Sequence, residues 1–132
     1  MNTRAELHTK SGYRITAEKK QATEPQTVVT ILEENTKTRF RFELTKHDIE
    51  TLKQATMETL CATDRGEYVW KNIYLQNSHR AKIAIGTAIK HKPVLEISIR
   101  TTDGASVWTM ADLTLRELEE LTRLVCDAYR HT

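Results

Sequence analysis

Lys37-Thr38-Arg39-Phe40-Arg41-Phe42-Glu43-Leu44-Thr45-Lys46-His47-Asp48-Ile49-Glu50-Thr51-Leu52 changes its period in the middle. Up to Leu44, charged and apolar residues alternate, the mark of a strand with one buried face. Beyond Thr45, the positions Ile49, Leu52, Thr56 and Leu60 recur at helical spacing and form one stripe. Thr45 and Asp48 have capping-box spacing: the hydroxyl accepts the N3 amide and the carboxylate accepts the cap amide. Asp64-Arg65-Gly66 ends the helix. The same change of period recurs at Leu113-Thr114, with Glu117 as the capping acid. Leu118, Leu121, Val125 and Ala128 form the second stripe, flanked by Leu124.

Working back from these two junctions, the chain repeats itself at an offset of 68 residues. Leu7 falls on Leu75, Arg14 on Lys82, Ile15 on Ile83, Pro25 on Pro93, Val29 on Ile97 and Ile31 on Ile99. Phe40 falls on Trp108 and Phe42 on Met110; an offset of 69 then aligns Leu44-Thr45 with Leu113-Thr114. Each half reads as four strands and a helix. In the first half, strands carry Ile15 and Ala17, then Val29 and Ile31, then Phe40 and Phe42, with a weaker first strand over 3–9. In the second half, strands are expected near 67–76, 80–88, 93–101 and 105–111, with turns at Asn77-Ser78 and Asp103-Gly104. The expectation is an α+β protein: one domain over 1–132 with internal repeats 1–66 and 67–132. It comprises two pseudo-symmetric ββββα units, antiparallel sheets flaring outward and helices packed together.

A sheet covered by a helix on one side leaves its other side open. With Phe40 and Phe42 inward, Lys37, Arg39 and Arg41 stand on the open face, and parity adds Arg14, Lys82 and Arg100. In 67–76, with Val69, Ile73 and Leu75 inward, the outward set is Tyr68, Trp70, Asn72 and Tyr74. Aromatic rings within a positive field suit single-stranded nucleic acid, whose bases stack while Lys and Arg track phosphates. The same aromatics equally suit an interface with the other half or another subunit. Lys19-Lys20 and Lys90-His91-Lys92, ahead of the aligned prolines, are read as loops able to hold phosphates.

Composition narrows the classes. The 132 residues have 39% hydrophobic and 29% charged side chains, an ordinary globular make-up. The net charge of +2 predicts no partner by itself. The helical stretches carry five bases against seven acids, so the remaining chain is the positive part. No apolar run reaches a membrane span, and Met1–Glu6 lacks a secretory apolar stretch. Two cysteines, Cys61 and Cys126, make neither a disulfide framework nor a cysteine-built zinc site, so an intracellular protein with reduced thiols is expected. The histidines at 8, 47, 79, 91 and 131 lack metal spacing, and no nucleophile elbow, phosphate loop or Cys-x-x-Cys occurs. No catalytic residue, metal or cofactor is assigned.

Leu95-Glu96-Ile97-Ser98-Ile99-Arg100, followed by a turn, a strand and Leu113-Thr114 opening a helix that holds Leu121, resembles the positive-cofactor-four coactivators. The doubled strand-and-helix order is similar to the Whirly proteins and, more distantly, to PUR repeats. The resemblance implies binding of single-stranded nucleic acid, with Arg100 the one residue carried over. Leu32 occupies the place of Arg100 in the first half, and the coactivators' basic arm has no counterpart. The expected function is therefore non-catalytic binding of single-stranded DNA, ahead of RNA, in replication, repair, recombination or transcription, with association into a homo-oligomer. The alternative is a protein-interaction or oligomerisation module using the same faces. A third option is an enzyme whose site forms only between subunits.

Overall fold

The computed structural model describes residues 5–21, 26–77, 80–88, 90, 92–100 and 104–130. Strands β1 (Ala5–His8), β2 (Tyr13–Lys20), β3 (Gln26–Glu33) and β4 (Thr38–Leu44) precede helix α1 (Lys46–Arg65). Strands β5 (Trp70–Tyr74), β6 (Ala81–Thr87), β7 (Pro93–Arg100) and β8 (Ser106–Asp112) precede α2 (Leu115–Arg130). Each half is thus a four-stranded antiparallel meander followed by a helix, giving two sheets of order β1-β2-β3-β4 and β5-β6-β7-β8. The strand expected over 67–76 is shorter at both ends. The Asn77-Ser78 and Asp103-Gly104 turns fall partly outside the described residues, as do His79, His91 and His131. Neither helix is long and apolar enough to cross a membrane.

Both capping boxes form, and both do a second job. Asp48 accepts the Thr45 amide at 3.1 Å while Thr45 Oγ1 accepts the Asp48 amide at 3.2 Å. The same carboxylate lies 3.4 Å from the amide of Gln76, just past β5 in the other half. Glu117 accepts the Thr114 amide at 2.9 Å and, with its other oxygen, the Lys10 amide at 2.8 Å from the β1–β2 turn. Each helix cap therefore grips the first hairpin of the opposite half. Gly66 ends α1 in the left-handed region at φ +69°, its amide donating to the last turn.

The helices are also exchanged. α1 lies chiefly on β5 and β6, and α2 on β1, β2 and β3. They touch each other, with Thr56 and Thr122 hydroxyls 2.6 Å apart. A single apolar core results, joining Ile15, Ile31, Phe40 and Phe42 to Ile83, Leu95, Ile97, Leu118 and Val125. The inner faces of both sheets serve this core, so the two open faces look away from it.

The strand register corrects one part of the repeat. Ile31 pairs with Phe40, but Ile99, its counterpart, pairs with Val107. Val107, Thr109 and Ala111 therefore occupy the inward side of β8, and Trp108 and Met110 stand outward, 61% and 38% exposed. Counting back in twos from the buried Leu113 reaches the same parity; matching bulky residues to bulky residues does not.

Candidate nucleic-acid interface

Register defines the open face of the second sheet row by row. Trp70 lies opposite Gly86, which lies opposite Val94. Tyr74, Lys82, Ser98 and Trp108 form another row, with Asn72, Ala84, Glu96 and Met110 between the two. Arg100 stands one row further, opposite Ser106. Four residues of strand separate Trp70 from Tyr74 by about 13 Å, and three strand spacings separate Tyr74 from Trp108 by about 14 Å. Trp70, Tyr74, Trp108 and Met110 are all large, apolar and exposed on this one face.

Trp70 is held rather than dangling. Gly86 leaves the space its ring uses: a Cβ there would stand 2.9 Å from Trp70 Cε3 and 2.3 Å from the Val69 carbonyl oxygen. The indole Nε1 donates to Asn72 Oδ1 at 3.3 Å. One side of the indole thus rests on the sheet and the residue remains 41% exposed, the posture of a preformed stacking surface. Tyr68 is placed differently from the expectation. It precedes β5 and lines a groove with Met57, Cys61 and Arg65 of α1, away from the row of Trp70.

The first sheet presents a different surface. Its rows run His8, Arg14, Leu32, Arg39 and Glu6, Thr16, Thr30, Arg41. A hollow of about 280 Å³ is lined by Arg14, Glu18, Thr30, Arg39 and Arg41 among others, with no aromatic ring. Arg14 is largely offset, with Glu6 at 3.6 Å and Glu34 at 3.9 Å. Among the described residues, Arg39 and Arg41 have no carboxylate within ion-pair distance. Lys37 is not on this face. It lies in the β3–β4 turn with φ +60°. There the Thr36 hydroxyl, then the Thr36 and Asn35 amides and the Lys37 charge, hold the Glu33 carboxyl below its ordinary range.

One of the two lysine segments departs from the loop expectation. Lys19 and Lys20 belong to β2: Lys19 Nζ sits 6.0 Å from the Tyr129 ring centroid, and Lys20 Nζ lies 2.7 Å from Glu43. Lys90 and Lys92 are exposed outside strands, and His91 lies outside the described residues. Among the described residues, no group of His, Cys, Asp and Glu has the geometry to hold a metal ion. Arg80 and Trp108 are the surface residues that sequence reading passed over. Parity from Leu113 finds Trp108, whereas Arg80 joins the site through its carbonyl, which accepts the Arg100 amide at 2.9 Å. Compared with protein-family models and with curated proteins, the chain matches none.

Proposed function

We propose that the chain binds single-stranded nucleic acid without catalysis, bases stacking on the second sheet and phosphates contacting arginines on both. The observation that carries this is one open face that bears Trp70, Tyr74 and Trp108 together with Lys82 and Arg100. Rings at this spacing, with Lys82 in the row of Tyr74 and Trp108 and Arg100 one row beyond it, serve a flexible polyanion with flat bases better than a duplex whose bases are stacked inside. The resemblance to the Whirly and positive-cofactor-four families supports the same reading. DNA is favoured over RNA, and Arg39, Arg41 and Arg14 supply the sequence-independent part of the affinity.

The test is a fluorescence titration with labelled oligo-dT, oligo-U and duplex across a salt series. Single strands are expected to bind tighter than duplex, with log affinity falling linearly in log salt. Arg39→Ala and Arg41→Ala should each lower that slope by about 0.7. Binding that ignores salt, or none at all, defeats the proposal. A second reading, self-association, draws on β8, a seven-residue edge strand with Val107, Trp108 and Met110 exposed and no basic residue. Under that reading, Trp108→Ala lowers the sedimenting mass and leaves oligonucleotide affinity unmoved.

A further inference from the structure

Beside Tyr74 on the open face of the second sheet is a hollow of about 340 Å³, lined by Tyr74, Arg80, Lys82, Ser98, Arg100 and Ser106. Lys82 lies 3.9 Å from Glu96 and is offset by it. Arg80 and Arg100 have no carboxylate within ion-pair distance among the described residues. The Arg100 amide bonds the Arg80 carbonyl, so the two guanidinium-bearing residues are tied side by side at the strand end.

The hollow on the first sheet occupies the matching place in the repeat and differs in three respects. Leu32 stands where Arg100 does, Glu18 is part of its lining, and it lacks an aromatic wall. Among the described residues, the arginines of the first hollow share it with the Glu18 carboxylate, whereas no carboxylate lines the second hollow beside Arg80 and Arg100. An internal phosphodiester carries one negative charge; a terminal phosphomonoester carries between about 1.5 and 2 near neutral pH. Two guanidinium forks, each able to hold two oxygens of one phosphate, match the monoester. The Ser98 and Ser106 hydroxyls can bond the remaining oxygens.

We infer that this hollow takes the terminal phosphate of a single strand, with the adjoining Tyr74 ring receiving the terminal base. The inference rests on the single-strand reading above and adds an end preference to it. Three oligo-dT probes of one length with an internal label test it: one with a 5′-phosphate, one with a 3′-phosphate and one with hydroxyls at both ends. One phosphorylated probe should bind about tenfold tighter than the hydroxyl-ended probe, and the end that gains gives the polarity of the bound strand. Arg100→Gln should abolish that gain. Equal affinity for all three probes overturns the terminal-phosphate site and leaves single-strand binding standing. An undiminished gain in Arg100→Gln overturns it too. Failure of every probe to bind overturns both readings.

Discussion

Trp70→Ala and Tyr74→Ala should weaken oligonucleotide binding alike and stability unequally. Both rings stand on the same strand face, but Trp70 is 41% exposed and Tyr74 is 72% exposed. Taking roughly 250 Å² for a tryptophan and 200 Å² for a tyrosine, about 150 Å² of Trp70 and 55 Å² of Tyr74 are covered. At about 25 cal/mol per Å², the upper bounds are about 4 and 1.4 kcal/mol. Alanine keeps the Cβ and the unfolded chain keeps some contacts, so about 2 kcal/mol and under about 1 kcal/mol are expected. For a chain of this size, each kcal/mol moves Tm by about 3–6 °C. Trp70→Ala should therefore melt about 6–12 °C lower, and Tyr74→Ala within about 5 °C of the parent. If each ring stacks on a base, each loses about 1–3 kcal/mol of affinity, roughly 5- to 150-fold. Thermal melting and anisotropy on oligo-dT, the latter at fixed salt and well below Tm, separate the two effects. Equal melting losses would refute the idea that the indole lies on Gly86 while the phenol stands clear. Unchanged affinity in Tyr74→Ala, whose fold is nearly undisturbed, would refute stacking on this face.

Three further outcomes follow from the packing. Glu117→Ala removes a cap and leaves the Lys10 and Thr114 amides without their acceptor, which should cost about 2–4 kcal/mol; denaturant unfolding should remain a single transition, because one apolar core still joins both halves. Gly86→Ala puts a Cβ 2.3 Å from a backbone oxygen and should destabilise by about 1–3 kcal/mol, with a shift in tryptophan emission; an unaltered spectrum and Tm would contradict the close approach. Cys61 is exposed, whereas burial raises the Cys126 thiol above its ordinary pKa, so at pH 8 an alkylating reagent should consume Cys61 first, as peptide mapping would show.

Much of the fold was readable because its signals are local. A period of two marks a strand and the shift to a helical stripe marks the junction at Thr45 and at Thr114. An acid three residues on identifies the cap, and all of this lies within one or two turns of chain. The same parity placed Trp70, Asn72 and Tyr74 outward correctly. It failed at Lys37, where the strand begins one residue later and the chain instead turns through a left-handed residue. It failed at Tyr68, which lies ahead of β5. At Trp108, the repeat alignment with the inward Phe40 implies an inward ring, and the hydrogen-bonded register of β7 and β8 gives the opposite side.

By itself, the sequence determined the element order, both helix starts, the end of α1 and the inward stripe of most strands. Each depends on residues close together in the chain. Only the tertiary structure decided that α1 covers the second sheet and α2 the first, that Asp48 and Glu117 each hold the opposite hairpin, and that Arg80 joins Arg100 beside Tyr74. An amphipathic helix states that it has a face to bury, not which of two similar apolar sheets will bury it. That choice is made by contacts between residues far apart in the chain, and it leaves no period in the sequence to read.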